Sequence, residues 1–207
     1  MIKILFFDIG YTLVDEDAVW RARCKEQAAT EEARLLGLTA EDIFHEIEKA
    51  SVERLPQYKT FVNKYGIKVV APYRTELETL YSASHSVLKT LSEKYTLGII
   101  ANQSGGLQKR LADFNIAQYF TYVISSSDVN VSKPDVRIFE YALNAADCSP
   151  CEAVMIGDRP DNDIEPAKRV GMKTVWIKQG FGKNQTPLPQ SEPDYVITEL
   201  QELLTIF

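Results

Sequence analysis

Three short stretches of this chain are almost wholly apolar: residues 2–7, 97–100 and 154–156. Runs this short and continuous suit strands buried on both faces, as in a parallel sheet covered by helices. Each stops at residues able to do chemistry. The first runs into Asp8-Ile9-Gly10-Tyr11-Thr12-Leu13, and the second into Ala101-Asn102-Gln103-Ser104. The third runs into Gly157-Asp158, with Asp161 and Asp163 close behind. Tyr122–Ser125, Lys173–Ile177 and Tyr195–Ile197 are weaker strand candidates, expected nearer the edge.

Helical patterns fill the gaps. Residues 84–94 carry Val87, Leu88 and Leu91 at helical spacing, 106–114 carry Leu107, Leu111 and Phe114, and 135–145 carry Ile138, Phe139, Ala142 and Leu143. Residues 164–170 close on Gly171, a helix stop. Alternation of this kind predicts a doubly wound parallel α/β sheet.

The interval between the first and second apolar runs breaks the rhythm. A simple crossover needs a dozen residues or a few more, and residues 8–96 far exceed that. Residues 15–36 read as one Ala-rich helix. Residues 39–55 read as a second, with Thr39 as N-cap and Ile43, Ile47, Ala50 and Ser51 on one face. Gln57–Tyr65 and residues 73–81 read as two more. The expected organisation is a core of residues 1–13 and 81–207, with 14–80 inserted as a small helical cap. Residues 180–193, with Pro187, Pro189 and Pro193, read as a surface loop.

Composition excludes several classes. With 207 residues, 45 % of them hydrophobic, the chain can bury a real core. A net charge of −6 argues against non-specific nucleic-acid binding. No apolar run reaches the ~18 residues of a membrane span, and the short first run ends on an acid, unlike a signal peptide. Three cysteines are too few for a disulfide scaffold, which suggests a reducing cytoplasm. Cys148 and Cys151 precede the strand at 154–156, on the side away from the expected site, and no second pair completes a zinc site. His45 and His85 read as surface residues, and Cys24 as packing.

In an open α/β sheet, ligands bind at the carboxyl ends of the strands, near the point where strand order reverses. On that rim Asp8, Asn102, Lys133 and Asp158 would converge. Two close carboxylates repel unless a cation lies between them, and oxygen-only ligands favour a hard ion such as Mg²⁺. A phosphoryl group fits beside that ion and a lysine, and Asp8 could attack its phosphorus.

The four segments, Phe7-Asp8-Ile9-Gly10-Tyr11-Thr12-Leu13, the strand ending at Asn102, Lys133-Pro134 and Gly157-Asp158…Asp163, resemble the ordered motifs of the haloacid dehalogenase superfamily of hydrolases. The resemblance covers nearly the whole chain, including the helical cap position. It implies an Mg²⁺-dependent phosphohydrolase acting on a small phosphorylated metabolite. Asp8 would be the nucleophile forming an aspartyl-phosphate. Asp8, the Gly10 carbonyl and Asp158 would bind Mg²⁺, with Asp163 supplementing the site. Lys133 would hold the phosphoryl group, and backbone N–H groups of Ile9, Gly10 and Asn102 would cradle its oxygens. Tyr11 and Trp20 are candidates for the substrate pocket, which the cap would close.

Two positions depart from that pattern. Family phosphatases usually carry a second Asp two residues after the nucleophile, as general acid and base; here it is Gly10. The second motif usually ends in Thr or Ser; here it is Ala101. Losing a general acid costs ~10²–10⁴-fold, about 3–5.5 kcal/mol, and most with poor leaving groups. Losing the hydroxyl costs ~1.5–3 kcal/mol of phosphate binding, unless Ser104 or a water compensates. The alternatives are a weakened chain that binds a phosphometabolite or protein partner, and a relative acting on carbon–phosphorus or carbon–halogen bonds. Asp15 and Glu16 are close enough in sequence to replace the missing acid, but a helix through them is expected to carry them away. Gly10→Asp is expected to favour alkyl phosphates. A receiver domain is disfavoured, because its phosphoacceptor follows a later strand. Oligomeric state stays open.

Overall fold

The computed structural model describes residues 1–103 and 105–207. Ser104, the candidate replacement hydroxyl, lies outside the described residues. The strands are β1 (Ile4–Phe7), β2 (Val14–Asp15), β3 (Thr79–Leu80), β4 (Thr96–Ala101), β5 (Tyr122–Ser125), β6 (Ala153–Gly157), β7 (Lys173–Ile177) and β8 (Tyr195–Ile197). The helices are α1 (Asp17–Ala28), α2 (Glu31–Leu35), α3 (Ala40–Val52), α4 (Gln57–Tyr65), α5 (Ser84–Ser92), α6 (Leu107–Asp113), α7 (Ser126–Val129), α8 (Arg137–Ala145), α9 (Glu165–Val170) and α10 (Leu203–Ile206).

Six parallel strands form one sheet in the order β5-β4-β1-β6-β7-β8. This is the doubly wound α/β architecture that the sequence predicts. The chain winds from β1 outward through β4 to β5, then crosses back to β6 on the other side. That reversal puts the switch point at the end of β1. Phe7 pairs with Ile99 on one side and Ile156 on the other, so Asp8 emerges level with the ends of both neighbours.

Alternation along β1 explains why so apolar a strand is needed. Leu5 and Phe7 pack with Val87, Leu88 and Leu91 of α5 and Leu111 of α6 on one face. Ile4 and Phe6 pack with Ile138, Phe139 and Ala142 of α8 on the other. All four strand residues are buried. β5 and β8 are the edges, as expected, whereas β7 lies between β6 and β8.

Between β1 and β4 the helices α1, α3 and α4 enclose a third cluster, built on Cys24, Ile43, Ile47, Tyr58 and Phe61. Thr39 caps α3 in a reciprocal box with Asp42, and Ile43, Ile47, Ala50 and Ser51 are its buried residues. Three readings of the sequence need correction. The single helix over 15–36 is two: the Thr30 hydroxyl accepts from the Ala33 N–H and donates to the Gln27 carbonyl, starting α2 afresh. Residues 73–81 are not helical. They form a short 3₁₀ turn and β3, which pairs antiparallel with β2, so the two chain crossings lie side by side. And 180–193 is more than a surface loop. Phe181, Gly182, Gln185 and Ser191 are buried, and the Ser51 hydroxyl donates to the Phe181 carbonyl while the Gln185 amide donates to the Ser51 carbonyl.

That strap leaves no room for a side chain at one point. A Cβ on Gly182 would lie 2.0 Å from the Asp158 carbonyl oxygen, and backbone cannot give way as a flexible side chain can. Gly182→Ala is therefore expected to destabilise the fold by at least ~1–3 kcal/mol and to lower activity by shifting Asp158. Urea unfolding checks the first effect; an unchanged midpoint would show that the strap is not held there.

Candidate active site

β1 delivers Asp8 to the rim, where its N–H donates to the Ile156 carbonyl at 2.9 Å. The chain then turns sharply. The N–H groups of Leu13 and Val14 both return to the Ile9 carbonyl, at 2.8 and 3.0 Å, and Tyr11 adopts φ +53°. The end of β4 is tied to the segment carrying Lys133 by a reciprocal pair. The Asn102 side-chain amide donates to the Lys133 carbonyl at 2.9 Å, and the Lys133 N–H donates to the Asn102 side-chain oxygen at 2.8 Å. The Asn102 side chain thus positions the lysine. Pro134 lies in a turn, and α8 starts at Arg137, two residues later than the helical spacing over 135–145 suggests.

The lysine is the centre of the arrangement. Its ammonium donates to Asp8 Oδ1 at 2.7 Å, Asp163 Oδ1 at 2.7 Å and the Ile100 carbonyl at 2.9 Å, so its three donors are all used. Burial favours the neutral amine, but the carboxylates of Asp163 and Asp8 outweigh it and hold the pKa above the usual value. Asp163 sits in a π turn, Pro160–Ile164, and its second oxygen accepts from the Arg159 N–H at 3.0 Å. It is not a cap for the next helix. Gly157 permits this approach, since a Cβ there would lie 2.5 Å from the Asp163 side chain.

Asp8, Asp158 and Asp163 each place a carboxylate oxygen within 4.8 Å of the others. One lysine faces three acids. Burial first, and then the neighbouring charges of Asp163 and Asp8, push the Asp158 carboxyl well above its ordinary range. Burial does the same to Asp163 and is opposed by Lys133. Among the described residues no cationic side chain forms an ion pair with Asp158. An oxygen-only donor set with surplus negative charge fits a hard divalent cation.

Above the cluster is a cavity of about 180 Å³. Asp8, Ile9, Gly10, Asn102, Lys133, Asp158 and Asp163, all singled out in the sequence, line it, as do Tyr11 and Trp20. Ala101 lines it too, buried and without a hydroxyl. Asp161 instead pairs with the Arg159 guanidinium at 2.6–2.8 Å. His45 and His85 are exposed, and Cys148 and Cys151 lie at the opposite end of β6.

Of the lining residues, Phe181 and Arg110 are among those the sequence did not single out, and Glu16 was expected to be carried away by its helix. Phe181 sits in a Pro-rich stretch with no periodicity to mark it. Arg110 lies on an ordinary amphipathic helix. Glu16 precedes α1 rather than lying in it, with φ −107°, and its carboxylate turns back over Gly10. Oε1 accepts from Arg110 Nη2 at 3.0 Å, and Oε2 accepts from Trp20 Nε1 at 3.2 Å. Burial raises its pKa, with Arg110 opposing. A Cβ on Gly10 would lie 2.5 Å from Glu16 Oε1. Gly10→Asp alone must therefore displace that carboxylate from Arg110 and Trp20, and is not the simple gain the sequence suggested.

Comparison with known proteins agrees with this geometry. The model of the family described as haloacid dehalogenase-like hydrolase matches residues 5–177. The chain belongs to that family. It is 32 % identical to a glyceraldehyde 3-phosphate phosphatase of Pyrococcus furiosus, over 99 % of this chain and 92 % of that protein. A pyrophosphatase PpaX of Bacillus velezensis is 31 % identical over 74 % of this chain and 68 % of its own. The crystal structure of a HAD phosphatase from Thermococcus onnurineus superposes with a TM-score of 0.73 at 27 % identity, covering 99 % of this chain and 97 % of the other. The haloacid dehalogenase-like chain described here is therefore a hydrolase by family, with an acidic cluster fit for a metal at the switch point of its sheet. Among the described residues no helix is long and apolar enough to cross a membrane.

Proposed function

We propose that this hydrolase removes the phosphoryl group from a small phosphorylated metabolite, with Mg²⁺ in the acidic cluster and Asp8 as nucleophile. The observation that carries the reading is the buried lysine shared by Asp8 and Asp163 beside Asp158, which has no ion-pair partner among the described residues. The phosphatase and pyrophosphatase activities of the named relatives support it over carbon–halogen chemistry. Asp8, Asp158 and the Gly10 carbonyl would hold the ion, with Asp163 behind them. When bound, the ion supplies positive charge to the phosphoryl oxygens and screens the acids from one another.

Asp8 attacks phosphorus, and the bond to the leaving oxygen breaks. Lys133 holds the free oxygen of Asp8 and offers its charge to the phosphoryl group. Backbone N–H groups of Ile9, Gly10 and Asn102 receive the equatorial oxygens, with no help from Ala101. Residues 14–80 act as the cap, with Trp20 and Tyr11 lining the cavity. The cavity of about 180 Å³ is large enough for a phosphoryl group, and it shares Gln57, Asn102, Lys133, Arg159 and Asn162 with a neighbouring cavity of about 880 Å³, which leaves room for the rest of a small metabolite.

The test is phosphate release over alkyl, aryl, acyl and anhydride phosphates, with and without Mg²⁺. Turnover of at least one class that vanishes on chelation is expected; release of halide without metal, and no phosphate from any substrate, would overturn the reading. Binding has a separate readout. Mg²⁺ at 100 times its Kd stabilises by ~2.7 kcal/mol, which at ~2–4 °C per kcal/mol for a chain of this size raises the unfolding midpoint by about 5–10 °C. Asp158→Asn is expected to lose most of that increase; an equal increase in the variant would place the ion elsewhere.

A further inference from the structure

The reaction proposed above leaves a proton unaccounted for. A leaving alkoxide must be protonated, and the water that later attacks phosphorus must lose a proton. The cavity offers few groups for the task. Asp8 is committed to phosphorus, Asp163 is held by Lys133, and Asp158 would be taken up by the proposed cation. Lys133 has spent its three donors. Arg110 and Arg159 do not release protons at ordinary pH. The Tyr11 hydroxyl donates away from the cavity, to Asp17 Oδ1 at 3.0 Å. Glu16 remains.

Its placement is built rather than incidental. The β2–β3 pairing fixes the chain immediately before it. Arg110 from α6 grips one oxygen and Trp20 the other. Glu78, which also binds Arg110 at 2.8 Å, anchors the guanidinium from the returning strand crossing. The side chain of Glu16 is only 12 % exposed, yet it borders the same cavity as Asp8. Its Oε1 would lie 2.5 Å from a Cβ on Gly10, so the absence of a side chain at position 10 leaves the space that the Glu16 carboxylate fills.

We propose that Glu16 is the proton donor and acceptor of the reaction, reaching the leaving oxygen from across Gly10. The inference rests on the phosphohydrolase reading. In the first step Asp8 forms a bond to phosphorus, the phosphorus–oxygen bond to the leaving group breaks, and the Glu16 carboxyl passes its proton to that oxygen. In the second step water attacks phosphorus, its proton returns to the Glu16 carboxylate, and the Asp8–phosphorus bond breaks to free phosphate.

The experiment compares 4-nitrophenyl phosphate, whose leaving group departs without a proton, with glycerol phosphate, whose leaving group needs one. Glu16→Gln keeps the shape but cannot carry the proton. It is expected to lower the ratio of alkyl to aryl turnover at least tenfold relative to wild type. An unchanged ratio overturns the inference, since a merely structural glutamate would lower both rates together. A second arm covers misfolding of the first variant. Glu16→Ala clears the space over Gly10, and Gly10→Asp added to it is expected to bring the ratio back toward wild type. A folded double variant that stays at the Glu16→Ala ratio also overturns it. Wild-type protein with no Asp8-dependent turnover of either substrate would instead remove the phosphohydrolase reading, and this inference with it.

Discussion

Asp8→Asn is expected to lower phosphate release at least ~10³-fold, about 4 kcal/mol of barrier, while leaving the folded state as stable as wild type or slightly more so. The two halves of this result have one cause. Asn keeps the size and one acceptor of Asp, so the bond from Lys133 to Oδ1 persists in shape. It removes the charge that attacks phosphorus. It also removes one of three acids crowded within 4.8 Å, and Lys133 retains Asp163 as a partner at 2.7 Å. A site arranged for chemistry carries repulsion that a stability-optimised core would not. Steady-state turnover and thermal unfolding, measured on the same preparation without metal, check both. Substantial residual turnover would mean that Asp8 is not the nucleophile, and a large loss of stability would mean that its charge is structural.

Lys133→Met is expected to do the opposite: activity and stability fall together. The lysine side chain is 3 % exposed, and its partner Asp163 1 %. Removing the ammonium strands two carboxylates and the Ile100 carbonyl in a buried place, a loss of ~3–5 kcal/mol. The effect should depend on pH, and the sign follows from the carboxylates. Asp158 and Asp163 have pKa values raised above their unfolded ones, and without Lys133 that of Asp163 rises further. A raised acid binds more protons in the folded state, so stability falls as pH climbs from the unfolded value of ~3.9 through the folded one. The deficit of the variant is therefore largest near neutrality and shrinks toward pH 4, where the acids are protonated in either protein. Urea midpoints of variant and wild type at pH 7 and pH 4, with chelator present, measure it. A deficit of equal size at both would mean that lost packing, and not stranded charge, is responsible.

What could be read in the sequence and what could not divide along physical lines. Strands β1, β4 and β6 are buried on both faces, and only unbroken apolar runs serve there, so they were legible. The chemistry at their ends followed, because a parallel sheet sends every strand end to one rim. Thr39 was legible as a cap because its box with Asp42 is local. The break at Thr30 was hidden, since good helix formers lie on both sides and only one hydroxyl decides the stop. β3 was hidden because two residues carry no alternation, and its pairing with β2 is long-range. The strap through Phe181 looked like loop because its burial comes from partners far off in sequence. Glu16 was misplaced for a related reason. Its helix starts at Asp17, two residues later than expected, and that shift decides whether its carboxylate points outward or over Gly10.

The proposed reaction depends on capture of phosphorus by Asp8. The direct measurement is mass spectrometry of the acid-quenched enzyme after brief mixing with an aryl phosphate and Mg²⁺, followed by digestion. The expected result is one added phosphoryl group on the peptide containing Asp8, labile to hydroxylamine and absent from Asp8→Asn. Rapid turnover with no adduct on Asp8 at any quench time, or an adduct that survives in the Asn variant, would contradict it.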